Sequence, residues 1–199
     1  MRTWKVMGLS VMCICLALIL FLSPASSKDQ PAESPQWGAA VNGLQMSISV
    51  ADPGRADAAE FQVVLRNVGE QDFTLNLGTM LANGKTQIPQ SISLTLADAG
   101  GGKRQFKFSD ARSGFVAGRV DDYVVPLRAG SSYTLKLSAK QFWSPDAKDY
   151  GLKLPSGKYQ LTAWFVGGGA TTANSDTAGV KLMNFWQGTL QSNTLAVEK

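Results

Sequence analysis

The sequence contains no histidine, and both of its cysteines, Cys13 and Cys15, lie close to the N-terminus. Histidine and cysteine supply many of the metal ligands, nucleophiles and proton-transfer groups that enzymes use near neutral pH. Residues 28–199 lack both side chains, and they also lack any possibility of a disulfide. This absence predicts no metal site, no cofactor and no enzymatic activity in that part of the chain.

The first 27 residues have the three parts of a secretory signal. Arg2 and Lys5 precede an uncharged apolar run from Val6 to Leu22, and small residues then offer a cleavage site after Ser27. The run is slightly shorter than a membrane-spanning helix usually requires. We therefore expect export to the periplasm, the cell surface or the medium, with no membrane insertion after cleavage. An uncleaved anchor is the alternative.

The charge of the chain is modest and dispersed. The net charge is +4, and two of the positive charges belong to Arg2 and Lys5 in the predicted signal. The remaining basic residues are scattered, and Lys103-Arg104 is their densest cluster. Proteins that bind nucleic acid carry a basic patch or stripe, so the sequence predicts no nucleic-acid partner.

Alternation of apolar and polar residues dominates the rest of the chain and predicts strands. The clearest case runs from Leu44 to Val50 and follows the turn sequence Asn42-Gly43. Related patterns occupy residues 61–65, 73–77, 92–96, 105–108, 123–127, 133–137, 159–165 and 195–197. Together they predict an all-β fold: one antiparallel, immunoglobulin-like β-sandwich of about seven to nine strands. A small closed barrel is the rival architecture.

The chain is predicted to contain a single folded domain. Residues 28–36, which include two prolines, are typical of a short extended tether. The predicted sandwich then extends over residues 37–199, which is long enough to bury a core without disulfides.

Five segments of that domain resemble an exported immunoglobulin-like domain of large-genome environmental bacteria: Trp37–Gln45, Leu65–Gly69, Val125–Gly130, Leu154–Leu161 and Ser192–Leu195. The resemblance covers about residues 37–198 and implies a sandwich fold. That family is poorly defined in function, and its members often lie on the outside of larger membrane proteins. The spacing of Leu-Arg-Asn, glycine and tyrosine in these segments is also similar, more weakly, to the bacterial intracellular proteinase-inhibitor sandwich. That likeness implies an inhibitory loop.

Two pairs of aromatic residues are the candidate binding residues. Phe142-Trp143 and Phe185-Trp186 fall in predicted connections between strands. Aromatic side chains in such loops can form a carbohydrate platform or anchor a protein interface. The alternative is that these loops fold back and fill the ends of the sandwich. The long polar connection Gly167–Met183 precedes the second pair, and its role is not indicated by composition.

Other groups favour structural roles. Asp121-Asp122 is the closest pair of carboxylates, and it is predicted to be a solvated turn rather than a catalytic or metal-binding pair. Gly100–Gly102 is predicted to be a hairpin loop because the residues after it have strand periodicity instead of the helix that a phosphate-binding loop requires.

These observations predict a secreted or periplasmic, non-catalytic binding or protein-interaction module. Its partner is expected to be a protein or a cell-envelope polysaccharide. The alternatives are a proteinase-inhibitor-like domain and a carbohydrate-binding module that uses the loop tryptophans, and an enzyme ranks last.

Overall fold

The computed structural model describes residues 36–50, 60–81, 86–88, 91–108, 120–152, 154–169 and 184–198. Contacts divide the chain into Met1–Ser34 and Pro35–Lys199, and every described residue belongs to the second unit. The predicted signal, nearly all of the predicted tether and most of the connection 167–183 lie outside the described residues. Within the ranges given above, no helix is long and apolar enough to cross a membrane.

The described residues form twelve strands and one short 3-10 helix, Ala139–Gln141. In chain order the strands are β1 (Leu44–Val50), β2 (Glu60–Asn67), β3 (Phe73–Leu81), β4 (Thr86–Ile88), β5 (Ile92–Asp98), β6 (Lys103–Lys107), β7 (Val120–Leu127), β8 (Ser132–Ser138), β9 (Trp143–Ser144), β10 (Asp149–Tyr150), β11 (Lys158–Gly167) and β12 (Gly188–Glu198). Nine of them correspond to the nine alternating segments of the sequence. The pattern does not indicate β4, β9 and β10, because two or three residues are too few to show a period.

The strands pair into three sheets, with the orders β1-β2-β8, β10-β9-β6-β5-β11-β12 and β4-β3-β7. Neighbouring strands within each sheet are antiparallel. The predicted antiparallel all-β sandwich is therefore confirmed. The described strands form three separate sheets, whereas the barrel alternative requires a single closed sheet.

One hydrophobic cluster receives side chains from all three sheets. In β2, for example, Phe61, Val63 and Leu65 are buried while the residues between them are half-buried, as period two requires. Phe142 fills the centre of one region of this cluster. Its ring lies edge-on to Phe61, with centroids 6.1 Å apart, and to Phe108, with centroids 4.4 Å apart. Burial of each such ring contributes about 1.5–3 kcal/mol.

A β-bulge in β12 joins the six-stranded sheet to β1. Ser192 and Asn193 oppose the single residue Ala163 of β11. The Ser192 hydroxyl accepts a hydrogen bond from the Ala163 N–H, 2.9 Å. The Asn193 carboxamide accepts from the Ile48 N–H at 2.7 Å and donates to the Ile48 carbonyl at 3.1 Å. The amide thus satisfies backbone groups of β1 that a neighbouring strand would otherwise pair. The last strand begins at Gly188, well before the predicted segment 195–197.

Candidate functional site

An open cleft of about 500 Å³ lies at one end of the sandwich, where three turns converge. The first turn precedes β1, the second connects β2 to β3, and the third leads into β12. The cleft, called the end cleft below, is lined by Asn42, Gly43, Gly69, Glu70, Gln71, Phe73, Asn184, Phe185, Trp186 and Gln187.

The first wall is a tight two-residue hairpin turn at Asn42-Gly43. Both residues have positive φ, 46° and 78°, and Val41 and Leu44 exchange backbone hydrogen bonds of 2.9 Å across them. An Asn-Gly pair is preferred at this kind of turn because asparagine and glycine tolerate the left-handed region. The Gly43 carbonyl then accepts hydrogen bonds from the backbone N–H groups of Val68 (2.7 Å) and Gly69 (3.2 Å), which ties the first wall to the second.

The second wall is held by Asn67, which is fully buried. Its side-chain amide donates to the carbonyls of Gln71 at 2.8 Å and Leu127 at 3.2 Å. Its side-chain oxygen accepts from the Gly69 N–H at 2.9 Å. A single carboxamide therefore shapes the turn after β2 and links it to the end of β7. This turn is the Leu-Arg-Asn-x-Gly segment on which the family resemblance rests.

The third wall is fixed by Trp186, whose side chain is 4% exposed. The indole stacks on Phe165 with ring centroids 5.4 Å apart and an interplanar angle of 26°. Its N–H donates to the carbonyls of Val41 (3.3 Å) and Asn42 (3.1 Å). A Cβ on Gly167 would collide with the indole, so the ring can occupy this position only because residue 167 has no side chain.

The backbone beside Trp186 behaves as an added strand next to β3. The Thr74 N–H donates to the Asn184 carbonyl at 2.7 Å, and the Trp186 N–H donates to the Thr74 carbonyl at 2.9 Å. Thr74 and Phe185 form an isolated parallel bridge between these two segments. Backbone hydrogen bonds and the side chains of Asn67 and Trp186 together hold the three walls, so the shape of the cleft is set by contacts within the domain.

The groups left for a ligand are one aromatic ring, amides and one carboxylate. Phe185 is half-buried, while Glu70, Gln71 and Gln187 are exposed. The side chains of these three polar residues make no hydrogen bond or ion pair within the described part of the chain. Glu70 is the one charged residue among the described residues that line the cleft. The site can therefore offer an apolar surface, hydrogen bonds and a single negative charge.

The structure separates the four candidate aromatic residues into two places. Phe185 and Trp186 line the end cleft. Phe142 is completely buried in the core, and Trp143 is 8% exposed in β9, where it lies edge-on to Tyr150 with centroids 5.0 Å apart. Trp143 thus belongs to the second strand from one edge of the six-stranded sheet rather than to a free connection. Three of the four rings are thus buried, and Phe185 alone keeps substantial exposure.

Sequence reasoning did not identify the polar lining of the cleft. Asn42, Glu70, Gln71, Asn184 and Gln187 belong to three turns that are far apart in the chain. Their composition predicts turns, but only the fold brings the turns together.

The other groups considered from the sequence have structural positions. Gly100–Gly102 forms the hairpin loop between β5 and β6, as predicted, and the Asp98 carboxylate accepts from the N–H groups of Gly100 (2.9 Å) and Gly102 (2.8 Å). Asp121-Asp122 lies within β7 and pairs with β3, so the prediction of a turn there is wrong. Among the residues described, no three Asp, Glu, His or Cys side chains converge in a way that could hold a metal ion.

Comparisons with known proteins do not identify a family. The chain matches no protein-family model and no curated protein. Among solved structures it is similar to target SoR45 of the Northeast Structural Genomics Consortium, with 11% identity, a TM-score of 0.33, and coverage of 79% of this chain and 88% of that one. It is also similar to DesR, a β-glucosidase from Streptomyces venezuelae in complex with D-glucose, with 13% identity, a TM-score of 0.29, and coverage of 77% and 15%. Likenesses of this size carry no functional argument, and the family resemblance stays a prediction.

Proposed function

We propose that this chain is an exported, non-catalytic protein-interaction module, and that the end cleft holds a segment of its partner. The observation that carries the proposal is the preformed cleft itself. Its walls are held by hydrogen bonds, and Glu70, Gln71 and Gln187 in its lining are exposed and make no side-chain bond to another described residue. A volume of about 500 Å³ falls within the range of typical ligand sites.

The chemistry of the lining favours a neutral or basic ligand. Glu70 supplies a negative charge, and the carboxamides of Gln71 and Gln187 can both donate and accept hydrogen bonds. Phe185 adds an apolar surface on which the stem of a long side chain can lie. A peptide segment that presents lysine or arginine fits this set of groups.

Binding without catalysis is supported by the chemical inventory of the chain. Residues 28–199 have no histidine or cysteine, and Glu70 is the one carboxylate among the described residues of the lining. Acid–base and covalent mechanisms usually require a second positioned group beside the first. The cleft therefore has the groups that recognise a ligand without those that transform it.

Titration of the isotope-labelled protein with two peptides of equal length, one rich in lysine and one rich in glutamate, tests the proposal. The basic peptide should shift the amide resonances of residues 69–71 and 184–187. Glu70→Gln should weaken that binding several-fold, and Phe185→Ala should weaken it about tenfold, as loss of a buried apolar contact implies. Gln160→Ala, an exposed change in β11, is the matched control. Equal binding of both peptides, or shifts confined to other residues, would contradict the proposal.

The two alternatives predict different outcomes in the same preparation. A carbohydrate-binding module should be retained on polysaccharide columns and lose retention with Phe185→Ala. Trp143→Ala and Trp186→Ala are poorer probes, because both side chains are buried and their loss would first lower stability. A proteinase-inhibitor-like domain should inhibit members of a panel of bacterial proteases, whereas the proposed module should inhibit none of them.

A further inference from the structure

The outer face of the six-stranded sheet carries a row of side chains that crosses every strand. Successive cross-strand partners connect Tyr150 of β10, Trp143 of β9, Lys107 of β6, Ser93 of β5, Trp164 of β11 and Gln191 of β12. Directly opposed residues in antiparallel strands project from the same face. The register therefore places two tryptophans and a lysine in one line, although they are distant in sequence.

The middle of this face combines apolar and hydroxyl groups. Trp164 is half-buried, and Val166, two residues further along β11, is 57% exposed. Beside them lies a second row in which Thr162 pairs with Thr95 on one side and with Thr194 on the other. The half-buried ring of Trp164, bordered by hydroxyl groups, offers an apolar surface and hydrogen-bonding groups to a sugar ring.

The charge of this face is unbalanced along β6. Lys103 and Lys107 are exposed, and their partners across β5 are Ala97 and Ser93, which are uncharged. Neither ammonium forms an ion pair within the described residues. At the opposite corner Lys158 has a carboxylate residue, Glu198, as its cross-strand partner, whereas the cross-strand partners of Lys103 and Lys107 on β5 carry no charge. Lys107 thus lies within the row, next to Ser93 and two strands from Trp164, and Lys103 lies further along the same strand, β6.

We propose that this outer face binds an acidic polysaccharide, with one sugar ring stacked on Trp164 and carboxylate groups of the chain beside Lys107 and Lys103. Neighbouring strands lie ~4.8 Å apart, so Trp164 and Lys107, two strands apart, are separated by ~10 Å. A ligand that contacts both must be a chain rather than a single sugar. The proposal goes beyond the interaction in the end cleft, because it uses a different face and the opposite charge preference.

Polygalacturonate and its methyl ester are matched probes, because they share a backbone and differ in charge. Calorimetry with the purified protein should detect binding of polygalacturonate and little or no binding of the ester. The dissociation constant should rise with ionic strength, since exposed charges are screened by salt.

Variants separate the contributions of the ring and the charges. Trp164→Ala should raise the dissociation constant for polygalacturonate about tenfold, the size expected for loss of one stacking contact. Lys107→Gln should raise it a few-fold and reduce its salt dependence. Lys158→Gln is the matched control and should have little effect, and Phe185→Ala in the end cleft should have none. Circular dichroism establishes that each variant is folded, and Lys107→Gln remains a test if Trp164→Ala is not.

Several outcomes would overturn the proposal. Equal binding of the ester would show that charge is not recognised. Binding that survives both Trp164→Ala and Lys107→Gln would place the polysaccharide elsewhere. Self-association that is abolished by Trp164→Ala, without polygalacturonate binding, would assign the face to a second copy of the chain. Failure of the peptide titration at the end cleft would leave this proposal intact, because the two sites share no residue.

Discussion

Asn67 provides the sharpest test of how the fold builds the end cleft. Its side chain is fully buried and makes three hydrogen bonds, of 2.8, 3.2 and 2.9 Å. Each such bond contributes about 0.5–1.5 kcal/mol net, so Asn67→Ala should lower the free energy of unfolding by about 3 kcal/mol. For a domain of this size that corresponds to a decrease in Tm of roughly 6–12 °C. The loss is smaller than the roughly 5–15 kcal/mol that typically stabilises a domain, so we expect the variant to remain folded.

Urea unfolding followed by tryptophan fluorescence and circular dichroism measures this change. Gln71→Ala is the control, because Asn67 bonds to the backbone carbonyl of Gln71, and the exposed Gln71 side chain bonds to no other residue that the structure describes. That variant should stay within about 0.5 kcal/mol of the wild type.

Asn67→Asp distinguishes lost hydrogen bonds from a cavity, because it keeps the shape of the side chain. It retains an acceptor for the Gly69 N–H but places an oxygen against the carbonyls of Gln71 and Leu127. We expect it to be at least as destabilising as alanine at pH 7. Burial of the new carboxylate beside carbonyl oxygens disfavours its charged form, so the folded state should bind a proton more readily than the unfolded state. The deficit should therefore shrink as the pH falls from 7 to 4.

Two results would refute this reasoning. A change of less than about 0.5 kcal/mol for Asn67→Ala would mean that the three bonds are replaced at no cost, against the usual penalty for unsatisfied buried groups. A pH-independent deficit for Asn67→Asp would mean that the side chain is not confined against the two carbonyls.

Three further changes test the bulge and the tryptophan wall. Asn193→Ala removes both hydrogen bonds to Ile48 and should lower the free energy of unfolding by about 2 kcal/mol. Hydrogen exchange at the Ile48 amide should become faster, and unchanged exchange there would contradict the role given to the bulge. Gly167→Ala forces a methyl group against Trp186 and should cost about 1–3 kcal/mol by thermal unfolding. Gly168→Ala, whose methyl group would meet no atom of the described residues within 4 Å, should be nearly neutral, and equal effects of the two changes would refute the contact. Trp186→Phe keeps a ring but loses the indole N–H, and urea unfolding should show a loss of about 1–3 kcal/mol from its unsatisfied carbonyl partners.

Local pattern was sufficient for most of the strands. Apolar residues at period two, as in Leu44–Val50 or Glu60–Asn67, place one face of the strand in the core, and this signal is contained in a few neighbouring residues. Turn sequences such as Asn42-Gly43 are equally local, because they depend on the φ values that each residue tolerates. The strands that escaped prediction, Trp143–Ser144 among them, are too short to show any period.

The candidate site was predicted only in part, because a site depends on which distant residues the fold brings into contact. An aromatic residue outside a strand looks the same in sequence whether it faces a ligand or fills the core. Trp186 is buried because Gly167 makes room for it and Phe165 stacks on it, and neither contact is visible from spacing. Phe185, one residue earlier, is left half-exposed.

Periodicity and composition are enough to predict an all-β architecture, the approximate positions of nine strands and the scarcity of catalytic groups. Only the folded chain shows which turns meet at the end cleft and which outward residues align across the six-stranded sheet. Both depend on strand order and register, which arise when distant segments bury their apolar faces together. Lys107 and Trp164 illustrate the difference: the chain separates them widely, and the sheet sets them two strands apart.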